Sequence, residues 1–233
     1  MISESEAAAY RTGTGTAERT RWLAGVLAAR VLPGGRALEI GAGGLADYLG
    51  AICVEPEPAL WPACGGRVVG GAPNRLPVCS AGLDTVVASA TRLLRGPDVF
   101  AEIARVLRPG GAFRCVLPRA DAPVTDPIGK ILAPMRAALR PASRGSGRDA
   151  LAASAAAAGL RADIAALEPY SYRQAPAGEA TDLRNRASSL LWSVGDETWL
   201  QVVVPAIAAL EALPCPDRAI TRYAYWELLT ARR

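Results

Sequence analysis

Three glycines in four positions, Gly41-Ala42-Gly43-Gly44, separate a short apolar run at residues 36–40 from the start of a helical pattern at residues 45–49. A strand that turns into a helix through glycines lets backbone approach a ligand closely and points helix N–H groups toward it. Upstream, residues 18–31 read as an amphipathic helix, with Trp22, Leu23, Val26 and Leu27 at helical spacing before a Pro-Gly-Gly break. Downstream, residues 51–54 form a second short strand. Helix, strand, glycine turn, helix, strand is the opening of a doubly wound sheet.

The remaining pattern continues in kind. Strands are expected at residues 67–69 and 83–89, the second apolar throughout, as a strand covered on both faces requires. A helix over 99–107, a turn at Arg108-Pro109-Gly110-Gly111 and a strand over 112–117 make another strand-helix-strand unit. Residues 118–147, rich in Pro, Arg and Ser, form an irregular crossover with a short helix at 128–139. An alanine helix follows at 149–158, ended by Gly159, then a sixth strand at 160–167, helices at 177–191 and 196–213, and a closing strand at 220–232.

Composition removes several classes of function. With 51% hydrophobic and 21% charged residues, the 233-residue chain is ordinary for a globular protein. It has no apolar run of the roughly 18 residues that would span a bilayer and no secretion signal at its start, so a cytoplasmic location is expected. The five cysteines, Cys53, Cys64, Cys79, Cys115 and Cys215, are scattered, and histidine is absent. No metal site is expected, and the thiols read as small hydrophobes. The net charge of +4 rests almost wholly on dispersed arginines, Lys130 being the only lysine, with no basic stripe to suit nucleic acid.

The glycine turn alone fits two cofactors, because Gly41-x-Gly43-x-x-Ala46 also satisfies a dinucleotide fingerprint, which makes an NADP-dependent oxidoreductase a rival. Glu55, at the end of the second strand, can accept both hydroxyls of a ribose. It follows Gly43 by only 12 positions, a short interval for a dinucleotide fold. At this point the chain resembles the class I S-adenosylmethionine-dependent methyltransferases, particularly the methyltransferase type 11 group, in four ordered segments. These are Leu38-Glu39-Ile40-Gly41-Ala42-Gly43, Val54-Glu55-Pro56-Glu57-Pro58-Ala59-Leu60, the run from Leu76 to Val87, and the helix and turn from Ile103 to Gly111. The closing Tyr223-Ala224-Tyr225-Trp226-Glu227-Leu228-Leu229 resembles the antiparallel last strand of these enzymes.

The resemblance implies an α/β fold: a Rossmann-like, doubly wound, seven-stranded sheet with an antiparallel last strand and a helical lid. A single domain is expected over residues 1–233, with an N-terminal helical cap at 1–35, the cofactor-binding core at 36–117, crossover, sixth strand and lid at 118–219, and the closing strand at 220–233. It further implies S-adenosylmethionine as cofactor, with Gly41 and Gly43 along its methionine part, Glu55 and the adjoining Pro56 at the ribose, Ser89 near the methionine end, and Glu39 steadying the loop or the ligand's amino group. One departure stands out: the family often carries an adenine-reading Asp where this chain has Gly71.

Methyl transfer from a sulfonium needs orientation and exclusion of water more than it needs a base. Without histidine, the candidates for a catalytic group are Tyr10, Asp121, Tyr170 and Tyr172, with Tyr48 and Glu168 behind them. Acceptor recognition is expected from residues 10–22, the crossover after Arg119, and residues 170–199. The expected function is methyl transfer to a small molecule, in a setting such as secondary metabolism, with no nucleic-acid or membrane partner and a homodimer as an admissible assembly. The alternatives are a protein of the same fold that catalyses cyclisation or rearrangement or serves only for binding, and, further off, the NADP oxidoreductase.

Overall fold

A computed structural model describes residues 3–13, 16–31, 34–64, 67–89, 93–119, 121–139 and 147–233. Pro33 of the predicted break and residues 140–146 of the predicted crossover lie outside them. The chain forms two compact units, the larger from residues 18–119, 144–168 and 225–233, the smaller from 1–17, 120–143 and 169–224.

The larger unit is built on a seven-stranded sheet. In chain order its strands are β1 (Ala37–Ile40), β2 (Ile52–Val54), β3 (Arg67–Val69), β4 (Leu83–Ala88), β5 (Leu107–Pro118), β6 (Arg161–Ala166) and, last, Trp226–Arg232. That last strand is β9, because β7 (Tyr170–Gln174) and β8 (Ile220–Ala224) pair only with each other, in the smaller unit. The spatial order is β3-β2-β1-β4-β5-β9-β6, with β9 antiparallel to both of its neighbours. This is the Rossmann-like methyltransferase arrangement expected from the sequence.

Alternation within the central strands explains why they read as unbroken apolar runs. Leu38, Ile40, Val86, Ala88, Phe113 and Cys115 pack on one face of the sheet, beneath α5 (Pro97–Val106) and α7 (Arg148–Ala157). Val87, Val116 and Leu228 face the other side, where they meet Leu23 and Leu27 of α2 (Thr16–Ala28). Neither face is left to water, so every second residue is apolar in both directions.

In the smaller unit, α1 (Glu4–Thr12) opens on a capping box between Ser3 and Glu6. The unit's core joins Ile128, Leu132 and Met135 of α6 (Pro127–Leu139), Leu183 of α8 (Pro176–Arg184) and Val203, Ile207 and Leu210 near the last helix.

Four expectations are corrected in detail. The Arg108-Pro109-Gly110-Gly111 segment does not precede the fifth strand but lies inside it, as an irregularity between the pairs Leu83↔Leu107 and Thr85↔Ala112. It is held there by an ion pair from Arg108 to the buried Asp84 and by bonds between residues 110–111 and Arg233. The helix expected over 196–213 is α9 (Asp196–Thr198), a π turn (Trp199–Val203) and α10 (Val204–Glu211). Pro205 has no N–H and its ring crowds the preceding turn, which a wider turn relieves. The helix expected over 177–191 stops at Arg184. The closing strand of 220–232 is two strands, since residues 220–224 alternate buried and exposed while 227–231 are buried throughout and need a sheet covered on both faces.

Candidate functional site

The ends of β1, β2 and β4 meet at the glycine turn, and three of the four family-like segments contribute to it. Ile40 pairs with Val54 on one side and Ala88 on the other, so the residues that follow each strand converge. Gly41 and Gly44 take φ values of 87° and 72°, which a residue with a Cβ adopts only under strain. Gly41 donates to the Val54 carbonyl, and Gly43 folds back to donate to the Gly41 carbonyl at 2.8 Å. The α3 helix (Ala46–Leu49) follows, a single turn, as the short interval to β2 requires.

Two buried carboxylates shape this turn from inside. Glu39 accepts the N–H groups of Leu45 and Ala46 through Oε2, at 2.9 and 2.7 Å, which caps the start of α3. Its other oxygen, Oε1, is buried without a hydrogen-bond partner. Burial raises the Glu39 carboxyl to about 8, against the opposing pull of the backbone N–H groups of Ala46, Leu45 and Gly43. A Cβ built on Gly43 would overlap both Glu39 Oε1 and Ser89 Oγ, so these two oxygens and the bare glycine share one small space.

Glu55, fully buried, accepts the Ala42 N–H through Oε2 and the Glu57 N–H through Oε1, each at 2.9 Å. It thus ties the glycine turn to the segment after β2 that begins with Pro56. A carboxylate offers about four lone-pair positions, and these two backbone N–H groups engage one on each oxygen. Cys53 lies under the turn, its thiol 3.6 Å from the Gly41 carbonyl, and its neighbour Cys64 together with burial pushes that thiol far above its ordinary range.

Position 71 is tight as well as uncharged. A Cβ on Gly71 would stand 3.1 Å from Val54 Cγ1 and 3.4 Å from Pro77 Cδ, so a side chain there would begin pressed against two apolar neighbours. Trp61, which sequence reasoning passed over, is at this end of the site instead. Its Nε1 donates to the Glu55 carbonyl at 3.1 Å, and its ring lies so close to Gly70 that a Cβ there would come within 2.9 Å. The signal was present in the sequence: an aromatic directly after the ribose-like segment, in the α4 turn (Trp61–Cys64).

The structure therefore brings together Glu39, Gly41, Gly43, Glu55, Pro56 and Ser89 in the larger unit. Of the candidate catalytic groups, Tyr10, Asp121, Tyr170 and Tyr172 belong to the smaller unit, and Tyr48 and Glu168 to the larger. Tyr10 packs edge-on to Trp192, with ring centroids 5.3 Å apart. Tyr170 and Tyr172 stack on each other at 5.9 Å, and the guanidinium of buried Arg222 lies 5.5 Å over Tyr172. Burial raises the Tyr172 phenol, which makes it a poorer base near neutral pH. Asp121 is exposed. Among the described residues no helix is long and apolar enough to cross a membrane.

No protein-family model matches the sequence, and no curated protein is similar to it in sequence. Solved structures are similar in fold. YcgJ from Bacillus subtilis superposes with a TM-score of 0.55 at 16% identity, covering 90% of this chain and 98% of its own. A candidate type II methyltransferase from Anaeromyxobacter dehalogenans gives 0.54 at 20% identity, covering 91% and 95%. An S-adenosylmethionine-dependent methyltransferase from Thermotoga maritima, named a possible histamine N-methyltransferase, gives 0.53 at 15% identity, covering 92% and 89%. The chain has the fold of class I S-adenosylmethionine-dependent methyltransferases.

Proposed function

We propose that this protein is an S-adenosylmethionine-dependent methyltransferase acting on a small-molecule acceptor. The observation that supports this most is the space shared by Gly43, Glu39 Oε1 and Ser89 Oγ: a buried, unpaired carboxyl oxygen facing a position where no side chain intrudes. An orphaned buried acceptor of this kind suits the ammonium of an amino acid. The backbone of Gly41 and Gly43 would border the methionine part, Glu55 the ribose, and Trp61 would offer an aromatic plane toward the adenine in place of the family's acid. When bound, S-adenosylmethionine supplies a methyl group already activated on sulfur.

What falls to the chain is binding, orientation and exclusion of water. A neutral amine or another ready nucleophile needs no base, which fits a chain with no histidine. Where the acceptor must lose a proton, Tyr10, Asp121, Tyr170 and Tyr172 remain the candidates.

Calorimetric titration with S-adenosylhomocysteine tests the cofactor. Binding that falls at least about tenfold in Glu55→Ala and in Trp61→Ala is expected; no binding by the wild-type chain would sink the reading. The missing acid at Gly71 and the engaged Glu55 carboxylate favour one second reading, in which the fold holds the cofactor without transferring its methyl group. Release of S-adenosylhomocysteine from labelled S-adenosylmethionine, with acceptor mixtures of amines, phenols and carboxylates, separates the two.

A further inference from the structure

The two oxygens of Glu39 are treated unequally. Oε2 accepts two backbone N–H groups, whereas Oε1 is enclosed without a donor. A bare anionic oxygen shut away from water is costly, and a neutral carboxyl in the same place costs far less. Backbone N–H groups of Ala46, Leu45 and Gly43 favour the ionised form without outweighing burial, and the side chains around it add no positive charge. From α3 comes Asp47, whose negative charge opposes ionisation. From β2 comes the Cys53 thiol, itself held neutral, and just beyond β2 a second acid, Glu55. From the end of β4, Ser89 presents an uncharged hydroxyl.

We propose that the glycine-loop site trades a proton for the cationic head of its ligand: Glu39 stands as a neutral acid before binding, and releases its proton to solvent as an ammonium group settles against Oε1. The O–H bond of Glu39 breaks and its proton passes to a buffer base, while the ammonium keeps all its protons and donates one N–H to Oε1. One positive charge leaves as another enters, so the buried site never holds an unpaired anion. The inference rests on the cofactor reading above and adds a pH control to it: cofactor affinity rises with pH until Glu39 is ionised without help.

The test is calorimetry on the full chain with S-adenosylhomocysteine, which keeps the ammonium, in buffers of different ionisation enthalpy. At pH 7 close to one proton is released per ligand bound. Affinity climbs about tenfold from pH 6 to 7 and levels off near the value at which the free carboxyl ionises. Glu39→Gln abolishes the release. Asp47→Asn, which removes the repelling charge, moves the levelling to lower pH while the release persists below it. Methylthioadenosine, which lacks the amino-acid end, binds with no proton exchange. Binding of S-adenosylhomocysteine with no proton released, or with a pH-independent affinity between 6 and 8, overturns the proposal and leaves the cofactor reading standing. Failure to bind at any pH overturns both. If Glu39→Gln does not fold, the wild-type proton count and the Asp47→Asn shift decide the matter.

Discussion

A Cβ would overlap polar atoms at glycine 43 and crowd apolar ones at glycine 71, and the two positions carry opposite meanings. A methyl group at 43 would overlap Glu39 Oε1 and Ser89 Oγ, the two polar atoms facing the loop. Gly43→Ala is therefore expected to cost about 1–3 kcal/mol of stability and to abolish measurable binding of S-adenosylhomocysteine, read by urea denaturation and calorimetry. At 71 the crowding neighbours are Val54 and Pro77, so Gly71→Asp, which introduces the acid often found there in the methyltransferases this chain resembles, should not improve binding. It should instead lower stability by about 1–3 kcal/mol through overpacking and a carboxylate beside apolar groups; tighter S-adenosylhomocysteine binding in this variant would refute the account of that end of the site. Glu39 also gives the ligand-free protein a pH signature. Its carboxyl ionises near 4.5 when unfolded and near 8 when folded, so the folded state holds the extra proton between those values. Stability must then fall as pH rises through that window, by up to about 1.4 kcal/mol per pH unit. Glu102, held low by Arg105, contributes the reverse slope, its share lost as pH drops below the ordinary carboxylate range. Denaturation at pH 5 and pH 8 should show the decline, and Glu39→Gln should flatten it.

Among the elements, β4 and β5 carry the register of the sheet through one acid. Asp84 accepts the Arg36 N–H at 2.7 Å and pairs with Arg108, fixing the irregularity at residues 108–111 against the β4 edge. Asp84→Ala leaves a partly buried N–H unpaired and frees the Arg108 side chain, for an expected loss of about 2–3 kcal/mol, measurable as a lower urea midpoint with an unchanged slope. Elements of this unit were legible because their pattern is local. Strands buried on both faces, a helix broken by glycine and the glycine turn itself are written in neighbouring residues, and predicted limits at residues 67–69 coincide with β3. The departures have a common cause. Whether Arg108-Pro109-Gly110-Gly111 ends a helix or bulges a strand depends on Asp84 and Arg233, far away in sequence. The break after Ala224 likewise depends on which sheet each half can join.

For the molecule as a whole, two cores form from interleaved stretches of chain, and the smaller is held by a buried charge network. Arg222, 5% exposed, bonds Asp126 before α6 at 3.0 Å and Glu179 on α8 at 3.3 Å. Arg222→Met would leave two partly buried carboxylates without their cation, for an expected loss of about 3–5 kcal/mol. The emission of Trp192 and Trp199, both in that unit, should report it, while S-adenosylhomocysteine affinity changes by less than about threefold; an equal loss of affinity would show that the cofactor site depends on this network. What the sequence determined unaided was the fold, because strand patterning, glycine conformations and the short Gly43 to Glu55 interval act over a few residues. Tertiary structure alone decided that Glu39 keeps one oxygen unpaired, that Glu55 is spent partly on the loop, that Trp61 stands beside Gly70 and that residues 220–232 divide between two sheets. Each of these turns on which distant groups come within bonding distance of a buried atom, and desolvation, which makes such meetings matter, exists only once the chain has closed around them.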